Sequence, residues 1–419
     1  MTSVRNHLPP LSGNKWLFFA AIALLAYGCS PKVRPVATAP VKTEKSSAKK
    51  EPEKAAAKPS GARVANIAML LPFSLDNLNP GMQYTPGTLS NANLSLDYYQ
   101  GFKLALDSLT SQGYNYKLQV FDTKEQTLES QNLAYNATIR TSDLIVGPVF
   151  PDDLQAFTNT LSGMGKSIPT VSPLSPASPT RVKDENMITV ATPLEYHAWS
   201  AAEYIVNHYR PKNVFILKSG FSEDNSYIIP FRKGIDSISK HKTKIIAPTI
   251  VRGQLNGLIT QLSSTEENIF VIPSTNQQFL VVTLHALDSL AKKYPVTVFG
   301  HPSWRKFSYL KPDILQRLKT HITATDRVDY KSPAVIAFIR IYRKIYHAEP
   351  THYALMGFDE GMYFGDLLGE KPEDLRKLDK RDYNGLLNKY HFIKKPGLGW
   401  INTHATVLQY SNFELKKVE

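Results

Sequence analysis

From Val64 onward the chain alternates short apolar, β-branched runs with segments of helical period, and this alternation restricts the fold more than any other feature. The runs are 64–73 (VANIAMLLPF), 116–122, 143–149, 168–172, 187–192, 213–218, 244–250, 268–273 and 296–300. Continuous apolar runs suit strands covered on both faces, as in a parallel sheet. Between them, Tyr99, Phe102, Leu106 and Leu109 fall at i, i+3, i+7 and i+10, and Val335, Phe338, Ile339 and Tyr342 at i, i+3, i+4 and i+7. Pro151 followed by Asp152 and Asp153 opens one helix, and Ser332-Pro333 opens another. The expected class is α/β with a doubly wound architecture. Nine strands before residue 300, in a chain of 419 residues, fit two sheets in two lobes better than one.

The N-terminal segment reads differently. An apolar run from Trp16 to Gly28 follows Arg5 and Lys15 and ends at Cys29, the only cysteine in the sequence. Thirteen residues span about 20 Å as a helix, short of the ~30 Å hydrocarbon core, so a signal peptide over 1–28 fits better than a membrane span. Residues 29–63 are rich in Ala, Lys, Pro, Ser and Glu, carry five prolines and no aromatic residue, and read as a disordered tether. The net charge of +13 is concentrated here: residues 1–63 hold 11 basic and 3 acidic side chains, against 38 and 33 in the rest. A charge excess outside the folded part argues against a nucleic-acid partner. A single cysteine excludes an intramolecular disulfide and any cysteine-based metal site.

No reaction centre is visible. The segment 163–167 (GMGKS) approximates a phosphate loop, but Thr160 stands where glycine is required. It also closes a predicted helix ahead of a strand, the reverse of the order that aims backbone N–H groups at an anion, so it reads as a helix C-cap. There is no G-x-G-x-x-G after the first strand, no G-x-S-x-G and no H-E-x-x-H. His197, His208 and His285 fall in predicted helices and read as surface or packing residues. Asp122 at a strand end, and Asp359-Glu360 taken as opening a helix, read as turn or cap residues. The expectation is a non-enzyme without cofactor or metal, with its site at the carboxyl ends of the strands.

Two resemblances sharpen this. Leu25-Ala26-Tyr27-Gly28-Cys29 resembles a bacterial lipoprotein box, with a small residue before the cysteine to be lipidated; Ala26 replaces the commoner Leu, and Tyr27 is bulky. An uncleaved signal anchor and a plain secretory leader are the competing readings. Further on, IAMLLPF, DYYQGFKLALDSL (97–109), LQVFDT (118–123), DLIVGPVFPDD (143–153) and IPTVSPLSPASPT (168–180) resemble, in order, the type I periplasmic binding proteins of the branched-chain amino-acid receptor branch. The likeness is good over 64–193, looser to FDEGMYFGDLL (358–368), and weak beyond. It implies two Rossmann-like lobes joined by a three-stranded hinge, an N-lobe of 64–193 plus 327–390 and a C-lobe of 194–326 plus 391–419, closing on a ligand.

In that family the turns after the third and fourth strands hold a ligand's charged ends, and the matching positions here are Phe150, Ser172, Ser175 and Ser178. Hydroxyls there suit a polar solute, although serines between Pro173, Pro176 and Pro179 also serve as turn caps. The facing wall is expected from Gly220–Tyr227 and His301–Trp304, with Tyr227 and Trp304 either stacking on the ligand or packing in the core. Residues 74–94 read as a long loop overhanging the cleft. Phe150 departs from the small polar residue usual in amino-acid receptors. Two functions follow. One is an envelope lipoprotein, held in the membrane by lipid on Cys29, that binds a small amino-acid-like solute for an ABC importer. The other is a non-transport lipoprotein that turns the same fold toward an envelope protein partner, as the activators of peptidoglycan synthases do.

Overall fold

The computed structural model describes residues 63–77, 81, 86–175 and 179–418. The signal-peptide and tether readings, Cys29 and Ser178 lie outside the described residues.

The first sheet is built from β1 (Val64–Leu71), β2 (Asn115–Asp122), β3 (Leu144–Val146), β4 (Thr170–Ser172) and β5 (Met187–Thr189), all parallel. The second uses β6 (Asn213–Ile216), β7 (Lys244–Ile246), β8 (Asn268–Ile272), β9 (Val296–Gly300) and β10 (His321–Ala324), again parallel. Each of the nine apolar runs became a strand. β10 joins them from the short segment HITA, too brief and too mixed in polarity to stand out from loops. After the hairpin of β11 (Tyr383–Asn384) and β12 (Lys389–Tyr390), β13 (Phe392–Lys395) and β14 (Gly399–Asn402) extend the first sheet. β15 (Thr406–Ser411) and β16 (Glu414–Lys417) extend the second antiparallel to β10. The orders are β13-β14-β5-β4-β3-β1-β2 and β16-β15-β10-β9-β8-β6-β7.

This arrangement is the two-lobed, mostly parallel α/β fold that the alternation implied. The chain passes between the sheets three times, at 190–193, 325–332 and 403–405. The third passage corrects the expected boundary, because residues 391–402 belong to the N-lobe rather than the C-lobe. Asn402 fixes them there: its amide donates to the Val190 and Lys389 carbonyls at 2.9 and 3.2 Å and accepts from the His391 and His404 N–H groups at 3.0 and 3.1 Å. Four-residue strands such as FIKK and GWIN carry too little periodicity to say which lobe they join.

The helices are α1 (Pro86–Ser111), α2 (Thr127–Leu133), α3 (Pro151–Gly163), α4 (Leu194–Tyr204), α5 (Asn225–Ile238), α6 (Gln277–Leu290), α7 (Pro312–Arg317), α8 (Pro333–Tyr346) and α9 (His352–Glu370). α1 begins at Pro86, so half of the expected overhanging loop is helix. Asp122 anchors the start of what remains, accepting from the N–H groups of Ser74, Leu75 and Lys124 at 3.0, 2.9 and 2.9 Å. The GMGKS segment ends α3 as a C-cap, with Gly165 at φ +68°.

The N-lobe core, with Ile67, Met69, Phe102, Val146 and Phe364, is completed by α9 lying on α1. Gly357, Gly361, Gly365 and Gly369 form a stripe at i, i+4, i+8 and i+12. A Cβ on Gly357 would sit 2.1 Å from the Tyr98 carbonyl oxygen, and one on Gly361 2.7 Å from Ala105 Cβ. Only bare backbone permits this approach. Asp359 and Glu360, expected to open a helix, lie in the middle of α9 and are fully buried, which corrects the cap reading. Asp359 accepts three backbone N–H groups, from Leu386, Leu387 and Asn388 at 2.7, 2.9 and 2.8 Å. Burial nevertheless raises its carboxyl to about 6, the three donors holding it down against that cost. Glu360 takes one bond, from the Tyr98 hydroxyl at 2.8 Å, and burial pushes its carboxyl far above the usual range.

Candidate functional site

A cavity of about 360 Å³ opens at the waist, between residues 191–194 where the first crossover enters α4, residues 323–326 where β10 runs into the second crossover, and the C-lobe segment 301–306. That volume lies within the range of small-molecule sites. The position follows from topology: residues 190–194 leave β5, 301–306 leave β9 and 325–326 leave β10, all at carboxyl ends of parallel strands.

The lining is mostly uncharged and sets two imidazoles and four hydroxyls among the apolar Ala191, Leu194, Pro302 and Ala324. His197, on the first turn of α4, is buried, and its Nδ1 lies 2.9 Å from the Thr323 hydroxyl. Burial, then the neighbouring His301, lowers its imidazole to about 3. His301 follows β9; its Nδ1 accepts from the Ser303 N–H at 3.1 Å, and burial brings it to about 4. Both rings are therefore neutral at pH 7 and offer hydrogen bonds without charge. Arg305 and Asp326 neutralise each other on one wall, Nη2 standing 2.5 and 2.6 Å from the two carboxylate oxygens. His352 of α9 adds a contact to the same carboxylate at 2.9 Å. Lys306 lines the cavity with no acidic partner among the described residues. Neutral donors and acceptors around one free ammonium suit a polar solute bearing a carboxylate.

The sequence-predicted residues divide. β3 and β4 are adjacent, with the Gly147 N–H on the Val171 carbonyl at 2.8 Å, so Phe150, Ser172 and Ser175 share the carboxyl end of the N-lobe sheet. Phe150 is half-buried as the N-cap of α3, while Ser172 and Ser175 are buried. None of the three lines the waist cavity. Trp304 and Tyr227 are core side chains, each 1% exposed. The Trp304 ring covers Gly300, and its Nε1 donates to the Ser274 carbonyl at 3.0 Å. Tyr227 packs parallel to Phe231 at 6.1 Å and stands 5.9 Å behind His301. Of the two roles considered for these rings, packing is the one they occupy here, and neither presents a face to the cleft.

Sequence reasoning reached His301 and Ser303 through the HPSW segment but missed His197, Thr323 and Asp326. Thr323 lies within the unrecognised strand β10 and Asp326 just after it, and a buried helix histidine has no pattern of its own. Among the described residues no group of histidine and carboxylate side chains is placed to hold a metal ion.

No known family profile matches the chain, and no curated protein matches it. Solved structures do. A putative branched-chain amino acid ABC transporter protein from Rhodospirillum rubrum superposes with a TM-score of 0.59 at 14% identity, covering 85% of this chain and all of that one. An ABC transporter substrate-binding protein from Desulfitobacterium hafniense, in complex with Leu, gives 0.54 at 16% identity over the same shares. The C-domain of LpoA from Haemophilus influenzae, a regulator of PBP1A, gives 0.56 at 15% identity, again over 85% of this chain and all of that domain. The fold is that of the type I periplasmic binding proteins, one shared by solute-binding and regulatory proteins.

Proposed function

We propose that this chain is an envelope-anchored, solute-binding lipoprotein that takes a small polar, amino-acid-like ligand in the interlobe cleft and presents it to an ABC importer. The waist cavity carries the proposal, because it sits where two parallel sheets meet by their carboxyl ends and its lining places imidazoles, hydroxyls and Lys306, which has no acidic partner among the described residues, beside apolar side chains. The anchor is lipid on Cys29. That lipid would supply the membrane affinity.

In a thermal-shift screen of the full chain against amino acids, short peptides, sugars and muropeptides, we expect one solute class to stabilise at micromolar concentration. Ligand at 100 times its dissociation constant adds about 2.7 kcal/mol. Lys306→Gln should weaken that binding if the waist cavity is the site, and Ser172→Ala with Ser175→Ala if the ligand reaches the N-lobe turns. Binding indifferent to all three substitutions removes the site assignment.

A second reading, a lipoprotein that binds an envelope protein partner, is supported by one feature outside the cleft. Ile341 and Ile345, one turn apart on α8, are each 48% exposed, and Ile341 lines a groove with Leu104 and Phe338. Exposed aliphatics grouped on one helix mark a docking face more often than scattered ones do. No stabilisation by any solute, together with lost partner capture in Ile341→Glu, favours this reading.

A further inference from the structure

A second and larger cavity, of about 700 Å³, lies on the other side of the 325–332 crossover. The two cavities share only Ala324 and Thr325, so this strand of the hinge is the partition between them. Three cations converge on the larger one from different parts of the molecule: Arg327 from the crossover, Lys389 from β12 of the N-lobe and Lys417 from β16 of the C-lobe. None has a carboxylate within ion-pair distance among the described residues. The one acid in the lining, Asp329, accepts the Lys331 N–H of its own loop at 3.0 Å. Between the cations, Phe358 and Met362 supply an apolar floor.

Three like charges around a concave surface outweigh its single lining carboxylate, Asp329, and repel one another, and an anion in the hollow relieves that repulsion. A second sign of their convergence is His404, another lining residue, whose imidazole is lowered by burial and then by Lys389 and Lys417. We infer that this cavity is a binding site for a phosphate monoester with an apolar or aromatic body, the phosphate held by Arg327, Lys389 and Lys417 and the body resting on Phe358 and Met362. Because Lys389 and Lys417 come from opposite lobes, the ligand bridges the hinge from behind the solute cleft.

The test is calorimetric titration of the full chain with phenyl phosphate, with inorganic phosphate and vesicles containing phosphatidic acid run in parallel at matched ionic strength. We expect saturable phenyl phosphate binding, weaker binding of inorganic phosphate, and at least a tenfold loss in Lys389→Gln/Lys417→Gln. Lys389→Arg/Lys417→Arg should retain binding, and its thermal midpoint controls for folding. Lys306→Gln should leave this site unchanged. Stronger capture by phosphatidic acid vesicles than by phenyl phosphate, lost in the same glutamine variant, assigns the phosphate to a lipid headgroup. Absence of saturable binding to every probe, or binding that survives the glutamine pair, overturns the proposal.

Discussion

Arg305 holds Asp326 by three contacts, two from Nη2 to the carboxylate and one from Nη1 to the Asp326 carbonyl oxygen at 3.0 Å. This pair ties the loop after β9 to the crossover that enters the N-lobe. The Asp326 side chain is 10% exposed. Removing its charge leaves the guanidinium half-desolvated and unpaired. Asp326→Asn should cost about 2 kcal/mol, discounted from the value for a fully buried pair because Arg305 remains 28% exposed. A fall of on the order of 5 °C in the thermal midpoint is expected; an unchanged midpoint would show that the pair is decorative.

Acid should destabilise the protein well above the usual carboxylate range. His197 and His321 are buried, and burial lowers them to about 3 and about 4. The unfolded chain binds a proton at each near pH 6.5, while the folded chain refuses it until the lowered value is reached. Stability is therefore complete above pH ~6.5 and is lost progressively as the pH falls toward 4, by up to about 1.4 kcal/mol per pH unit for each group. Asp326 acts in the same direction lower down: burial raises it, but the bonds from His352 and Arg305 outweigh that and hold it below the ordinary range. Denaturant midpoints from pH 7 to 4 measure the slope. His197→Asn should flatten it by roughly one proton's worth.

Glu360 has the opposite sign. Its folded carboxyl is raised by burial, so it contributes stability only while the pH is low, and that contribution disappears as the pH rises. One oxygen accepts from Tyr98 and the other has no hydrogen-bond partner among the described residues. Glu360→Gln keeps the first bond and removes the ionisation. We expect it to be more stable than wild type at pH 8, by about 1 kcal/mol or more, with a smaller difference at pH 4. Destabilisation at both pH values would mean that the carboxyl proton is itself bonded.

The glycine stripe of α9 makes a steric prediction. Gly357→Ala places a methyl group 2.1 Å from the Tyr98 carbonyl oxygen, and backbone cannot yield as a side chain does. Separating α1 from α9 should cost roughly 3 kcal/mol. Gly163→Ala, where a Cβ meets nothing within 4 Å, should change stability little. Equal effects at the two positions would contradict the close packing.

Much of the fold was legible because the pattern repeats. Tyr99, Phe102, Leu106 and Leu109 mark the buried face of α1, and Val335, Phe338 and Tyr342 that of α8, since a helix of this length must hide one stripe. The nine apolar runs became strands because parallel strands covered on both faces have no polar side to interrupt them. What failed was short or non-local. β13 and β14 are too brief to declare their lobe, and Asp359 and Glu360 resemble a helix start until the 385–388 turn is known to cover the first and α1 the second. The candidate site was legible only as a location. His301 and Ser303 lie in the segment expected to face the ligand, whereas the roles of His197 and Asp326 depend on contacts across 126 and 21 residues of chain that no local pattern records.

The most direct test is the distance between the lobes. Spin labels at the exposed positions Gln131→Cys on the N-lobe and Ser237→Cys on the C-lobe, with Cys29→Ser, report it by pulsed electron resonance. On adding the solute that raises the thermal midpoint, we expect the distance distribution to shift to a shorter, narrower peak, and the shift to be lost in Lys306→Gln. A distribution that stays the same with every solute bound, or moves equally in the variant, would contradict a cleft that closes on its ligand.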